Sequence, residues 1–112
     1  MTFTTKREGD YSIIAVEGNI ALDNVNEMKK FITPQMEDNN IKGIVVNFNK
    51  VDFIDSSGIG LIVSIFKTLQ KRKANFALSQ MSIKNREIFS MTKLDRILFI
   101  CESDDEAIKQ WA

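Results

Sequence analysis

Residues Asn47 to Lys71 read NFNKVDFIDSSGIGLIVSIFKTLQK, and the reading of this stretch decides the fold. The overlapping run Gly43-Ile44-Val45-Val46-Asn47-Phe48 has the apolar, β-branched character of a buried strand. Downstream, Ile59, Leu61, Ile62, Ile65, Phe66 and Leu69 recur at helical spacing, so Asp55-Ser56-Ser57-Gly58 stands where a helix begins. Such a helix end carries unpaired backbone N–H groups and about half a positive charge, which suits it to an anion or a phosphorylated side chain.

On a helical wheel the apolar residues cover one broad face and leave Gly60, Ser64, Lys67, Thr68 and Lys71 on the other, with Ser56 and Ser57 flanking that polar arc. Gly60 and Ser64 project almost nothing, and a glycine inside a helix costs roughly 1 kcal/mol relative to alanine. Two readings account for that cost: a partner comes close over a smooth surface, or Gly58 and Gly60 let the helix pack tightly where it starts. Lys67 is the nearer lysine on the Ser56 side, yet it stands roughly 16 Å along the axis, too far to clamp a phosphate on Ser56.

With 112 residues and 44% hydrophobic content, the chain has the size of one globular domain spanning 1–112. Its 15 basic and 15 acidic residues cancel, which removes the basic field that nucleic acid needs. Histidine is absent and there is one cysteine, which excludes a Ser-His-Asp triad, imidazole acid–base chemistry and nearly all transition-metal sites. Cys101, inside Ile97-Leu98-Phe99-Ile100-Cys101, is expected to be a buried, inert thiol. No apolar run approaches the roughly 20 residues of a membrane span, and MTFTTKREGD lacks a signal-peptide core. The expectation is a soluble, reduced, cytoplasmic monomer with no cofactor, no metal and no membrane partner.

Along the chain, Phe3 to Arg7 and Tyr11 to Glu17 have strand composition and are joined by Glu8-Gly9-Asp10, a hairpin turn; Gly18-Asn19 is expected to end the second strand. Val25, Met28, Phe31 and Ile32 form the stripe of an amphipathic helix, with Asp23 or Asn24 as N-cap. Pro34 predicts a kink there, or a fresh turn capped by Thr33. Lys71-Arg72-Lys73 reads as a solvated basic cluster at a helix C-terminus. Asn75 to Ser79 forms a strand, and Ser82 caps a helix carrying Ile83, Ile88, Phe89 and Met91. Leu98 to Ile100 is the last strand, and Ser103-Asp104-Asp105-Glu106 has capping-box spacing before a final helix with Ala107, Ile108 and Trp111 on one side. The pattern predicts an α/β domain with a mixed sheet, a leading hairpin followed by parallel strands, and helices packed on it.

Little in the sequence supports catalysis. Gly58-Ile59-Gly60-Leu61-Ile62-Val63 begins like a dinucleotide fingerprint but ends on valine, and around Ser56 a nucleophile elbow would need glycine where Ile54 stands. Asp52 and Asp55 are read as turn and cap residues and not as an acid/base pair. A hydroxyl presented at an exposed helix start is better suited to being modified than to doing chemistry.

The stretch Val51-Asp52-Phe53-Ile54-Asp55-Ser56-Ser57-Gly58-Ile59-Gly60 resembles the signature of the STAS family, specifically the bacterial anti-sigma factor antagonists. The resemblance extends to the leading hairpin, to Ile44-Val45-Val46-Asn47-Phe48 and to the late segment Ile88 to Ile97, nearly the whole chain. It implies partner switching: the unmodified domain binds an anti-sigma factor that is also a serine kinase, freeing a sigma factor, until the kinase uses ATP to phosphorylate it. The implied acceptor is Ser56, with Asp55, Ser57, Gly58, Gly60 and Ser64 in the partner-binding surface and a cognate phosphatase to reset the switch. Two positions depart from the family pattern: Ala21 stands where antagonists often carry aspartate, with Asp23 two residues later, and Lys93 stands where relatives often have glycine. The alternative is a STAS docking or scaffold subunit of another signalling or lipid-transport complex, without sigma-factor output.

Overall fold

A computed structural model describes all residues 1–112. Strands β1 (Thr2–Glu8) and β2 (Tyr11–Ile20) form the leading hairpin; α1 (Val25–Met36), β3 (Gly43–Ile54), α2 (Ser56–Lys71), β4 (Asn75–Ser79), α3 (Ile83–Met91), β5 (Phe99–Cys101) and α4 (Asp104–Trp111) follow. One sheet in the order β1-β2-β3-β4-β5 is antiparallel at its first pair and parallel thereafter, as the sequence predicts.

The sheet is covered on both faces, which accounts for the continuous apolar run at the start of β3. Ile14, Val16, Ile44, Val46 and Phe48 face α1, α2 and α3, whose Met28, Ile32, Ile62, Ile65, Leu69 and Phe89 complete the larger core. Phe89 meets Phe48 edge-on at 6.4 Å between ring centroids. On the other face Ile13, Val45, Ala77 and Cys101 lie under α4, with Ala107, Ile108 and Trp111 closing a smaller core. Cys101 is buried as expected, and burial, with Glu106 and Asp104 nearby, pushes its thiol up to about 11.

Several local expectations are corrected. Strand β2 does not stop at Gly18-Asn19: it runs to Ile20, through two shifts in its register with β3, and Gly18 supplies a φ of +118° that other residues rarely adopt. Strand β3 likewise continues past Phe48 to Ile54, so Asp52 is an exposed strand residue and not a turn residue. Pro34 does not start a fresh turn capped by Thr33: α1 runs on through it to Met36, and Thr33 Oγ1 donates back to the Lys29 carbonyl at 2.6 Å. Asn24 is the N-cap residue of α1, but its side chain accepts from the Ala21 N–H at 2.8 Å and not from the helix.

In α3, Ile83 and Met91 point outward, since this short helix turns Asn85 and Phe89 to the core instead. Arg72 is not part of a solvated cluster: its Nε donates at 2.8 Å to the Met36 carbonyl and caps the C-terminus of α1 from a neighbouring helix. Ser103 caps α4 by accepting from the Glu106 N–H at 3.1 Å, while the Glu106 carboxylate reaches back to the Glu102 N–H, one residue before the donor of a reciprocal box.

Candidate functional site

Strands β2 and β3 outrun the rest of the sheet. Pairing of β3 with β4 ends at Asn47 and Ser79, whereas β2 and β3 remain paired as far as Ile20 and Ile54. The two chain ends that leave this extension, the β2–α1 loop and the start of α2, therefore emerge side by side. Asn85 supports the extension from α3: fully buried, it donates from Nδ2 to the Val51 carbonyl at 3.2 Å, where β4 no longer offers a partner.

Asp55 is the N-cap of α2. Its Oδ1 accepts from the Gly58 N–H at 2.9 Å, its Oδ2 accepts from the Leu22 N–H at 3.0 Å, and its own N–H donates to the Ile20 carbonyl at 3.2 Å. The Gly58 N–H, followed by that of Leu22, holds the Asp55 carboxyl below the usual carboxylate range, against some desolvation. Both oxygens are thus engaged within the chain.

Ser56, the first residue of α2, is exposed, and Ser57 beside it is half-buried. Gly60 and Ser64 are exposed one and two turns on, and a Cβ built at Gly60 meets nothing within 4 Å. Gly58 is different: it is buried, and a Cβ there would stand 2.2 Å from the Ile20 carbonyl oxygen and 2.5 Å from Ile54 Cγ1. The two readings of this glycine pair therefore divide between its members, close packing at Gly58 and an open surface at Gly60. Lys67 and Lys71 are exposed further along the helix.

Leu22, 73% exposed, and Phe53, 39% exposed, add apolar surface close to the Ser56 end, and sequence reading missed both. The signal for Leu22 was its place in a polar stretch, Ala21-Leu22-Asp23-Asn24, which no helical or strand period accounts for. Ala21 is buried and Asp23 exposed. Lys93 has a φ of +62°, the left-handed region in which glycine is at ease.

The surface clefts lie elsewhere. The largest, about 690 Å³, is lined by Phe66, Lys73, Phe76, Phe99 and Trp111 among others, and no cleft is lined by a residue between Lys50 and Phe66. No group of His, Cys, Asp or Glu side chains is arranged to hold a metal ion, and no helix is long and apolar enough to cross a membrane. A further polar cluster ties α4 to the sheet: Asp104 accepts from Asn47 Nδ2 at 3.1 Å and from the buried Ser79 hydroxyl. It is a structural clasp on the face opposite α2.

The chain and its fold match known proteins. A Thermotoga maritima protein provisionally named an anti-sigma factor antagonist is 28% identical over 108 residues, covering 96% of both chains. The crystal structure of a provisionally named anti-sigma factor antagonist from Thermotoga maritima matches with a TM-score of 0.91 at 28% identity, over 96% of this chain and 92% of that one. The anti-sigma-B factor antagonist of Staphylococcus aureus is 26% identical over 91% of this chain and 93% of its own. The anti-sigma factor antagonist SpoIIAA shares the fold, with a TM-score of 0.81 at 22% identity for the unphosphorylated form, over 97% of this chain and 95% of that one. The STAS domain model matches residues 2–107, so the chain belongs to the STAS domain family and is homologous to bacterial anti-sigma factor antagonists.

Proposed function

We propose that this protein is an anti-sigma factor antagonist that binds an anti-sigma factor with serine-kinase activity in its unmodified form and is released when Ser56 is phosphorylated. The observation that carries the reading is an exposed hydroxyl at the first position of α2, beside a smooth helix face at Gly60 and Ser64 and away from any cleft. In the phosphorylation step the Ser56 Oγ attacks the γ-phosphorus of ATP; the new O–P bond forms as the bond to ADP breaks, and the hydroxyl proton passes to a base of the kinase. The phosphate adds about −1.5 to −2 charges next to Asp55. The helix N-terminus accepts part of that charge, and no cation of α2 lies within reach to fold over it. The switch then works by charge and bulk at the partner surface.

Capture from native lysate on the Ser56→Ala variant, followed by incubation of the wild-type domain with the captured protein and ATP, tests this. The expected result is recovery of an ATP-binding kinase and a single phosphate, mapped by mass spectrometry to Ser56. Recovery of a membrane transport complex without phosphorylation would favour the docking-subunit alternative.

A further inference from the structure

We infer that Asp55 is a positioning residue, which fastens the β2–α1 loop to the start of α2 so that Leu22 and Ser56 are presented to the kinase as one surface. The inference rests on the reading of Ser56 as the phosphorylated residue. Both Asp55 oxygens are occupied inside the chain, one by the Gly58 N–H of its own helix and one by the Leu22 N–H from the neighbouring loop. Each oxygen is thereby committed to a different backbone donor, so the carboxylate joins the loop to the helix start, and it is this bridging that assigns it to placement.

The loop has few other reasons to stay. Ala21 is buried and its N–H is taken by Asn24, but Leu22 carries a 73% exposed side chain and its backbone N–H is held by Asp55 alone. An apolar side chain that gains nothing from the core, on a backbone fixed to the residue preceding Ser56, is what a partner reading Ser56 would meet next. Only a carboxylate serves here. Both ligands are N–H donors, so an amide at position 55 satisfies one and turns its own NH₂ against the other, and a hydroxyl caps the helix but has a single oxygen for two sites.

The test combines two readouts on the full domain with Asp55→Asn, Asp55→Ser and Leu22→Ala. Asp55→Ser keeps the cap, so a folded bridge-free variant is available even where Asp55→Asn fails to fold. By amide hydrogen exchange, the Leu22 N–H of the wild type is expected to be protected and to exchange roughly 10-fold faster or more in either Asp55 variant, with the central strands unchanged. A Leu22 amide that exchanges freely in the wild type overturns the inference. In binding, with the kinase recovered on Ser56→Ala as probe, Asp55→Ser and Leu22→Ala each weaken the complex, and the double variant is no weaker than the worse single one. Fully additive losses would mean that Asp55 contacts the partner itself and would also overturn it. A domain whose Leu22 amide is protected but which recruits no kinase contradicts the functional reading and leaves the hold of Asp55 on the loop intact.

Discussion

The carbonyl oxygen of Ile20 lies where a side chain at Gly58 would have to go, 2.2 Å from an ideal Cβ. The end of β2 and the first turn of α2 are therefore in backbone contact, and the contact is possible only with glycine. Gly58→Ala is expected to destabilise the domain by about 2–3 kcal/mol, the cost of overpacking against a backbone that cannot yield, read as a fall in Tm of about 10 °C or more. An unchanged melting temperature would refute the packing role.

Gly60 should behave in the opposite way. Gly60→Ala meets open space and gains roughly 0.5–1 kcal/mol from helix propensity. Gly60→Arg keeps a helix former but fills the smooth face, so the circular-dichroism spectrum should persist while partner binding falls. Full affinity in Gly60→Arg would place the interface elsewhere.

Much of this was legible beforehand. The hairpin, the alternation of strands and helices, the cap at Asp55 and the exposed Ser56 all follow from local patterns. What escaped was decided by distant partners. The extension of β3 through Asn49-Lys50-Val51-Asp52 looks like a turn because it is polar, and becomes a strand only because β2 continues beside it. Arg72 looks solvated until the C-terminus of α1 comes to meet it, and the burial of Asn85 in place of Ile83 depends on the free Val51 carbonyl at the end of the sheet. Leu22 acquires meaning only when Asp55 reaches across to it.

Acid should loosen the site before the core. The Asp55 pKa is lowered in the folded state, so its contribution to stability is present above the unfolded value of about 3.9 and is lost as pH falls through the lowered folded value. Thermal melts between neutral pH and the acid range should show this loss in the wild type and a flatter profile in Asp55→Asn. Parallel profiles would remove Asp55 from the linkage.

Alkali acts through Cys101. With its thiol raised to about 11, the folded state keeps its proton while the unfolded chain releases it near 8.5, so stability declines as pH climbs from there toward the folded value. Cys101→Ala should flatten that decline, and a thiol reagent should react with the native protein far more slowly than with the unfolded chain. Rapid labelling of native protein would contradict the burial.

Modification should leave the fold alone. Ser56→Asp replaces an exposed hydroxyl at a helix start, where a negative charge is tolerated, so the Tm should move by less than about 10 °C. Backbone amide shifts on phosphorylation should stay near Asp55 to Gly60, with Leu22 included through its bond to Asp55. Shifts spreading through β4 and β5 would indicate a rearrangement of the domain in place of a surface switch.

The most direct measurement is calorimetric titration of the kinase with the domain, first unmodified and then phosphorylated on Ser56. A charged, bulky group introduced into a packed interface is expected to lower affinity by at least about 100-fold, equivalent to about 2.7 kcal/mol. Ser56→Ala should bind as the unmodified protein does, and Ser56→Asp should bind as the phosphorylated one. Equal affinities for the two forms, or a loss of binding that follows phosphate on Ser57 while Ser56 is free, would contradict the account.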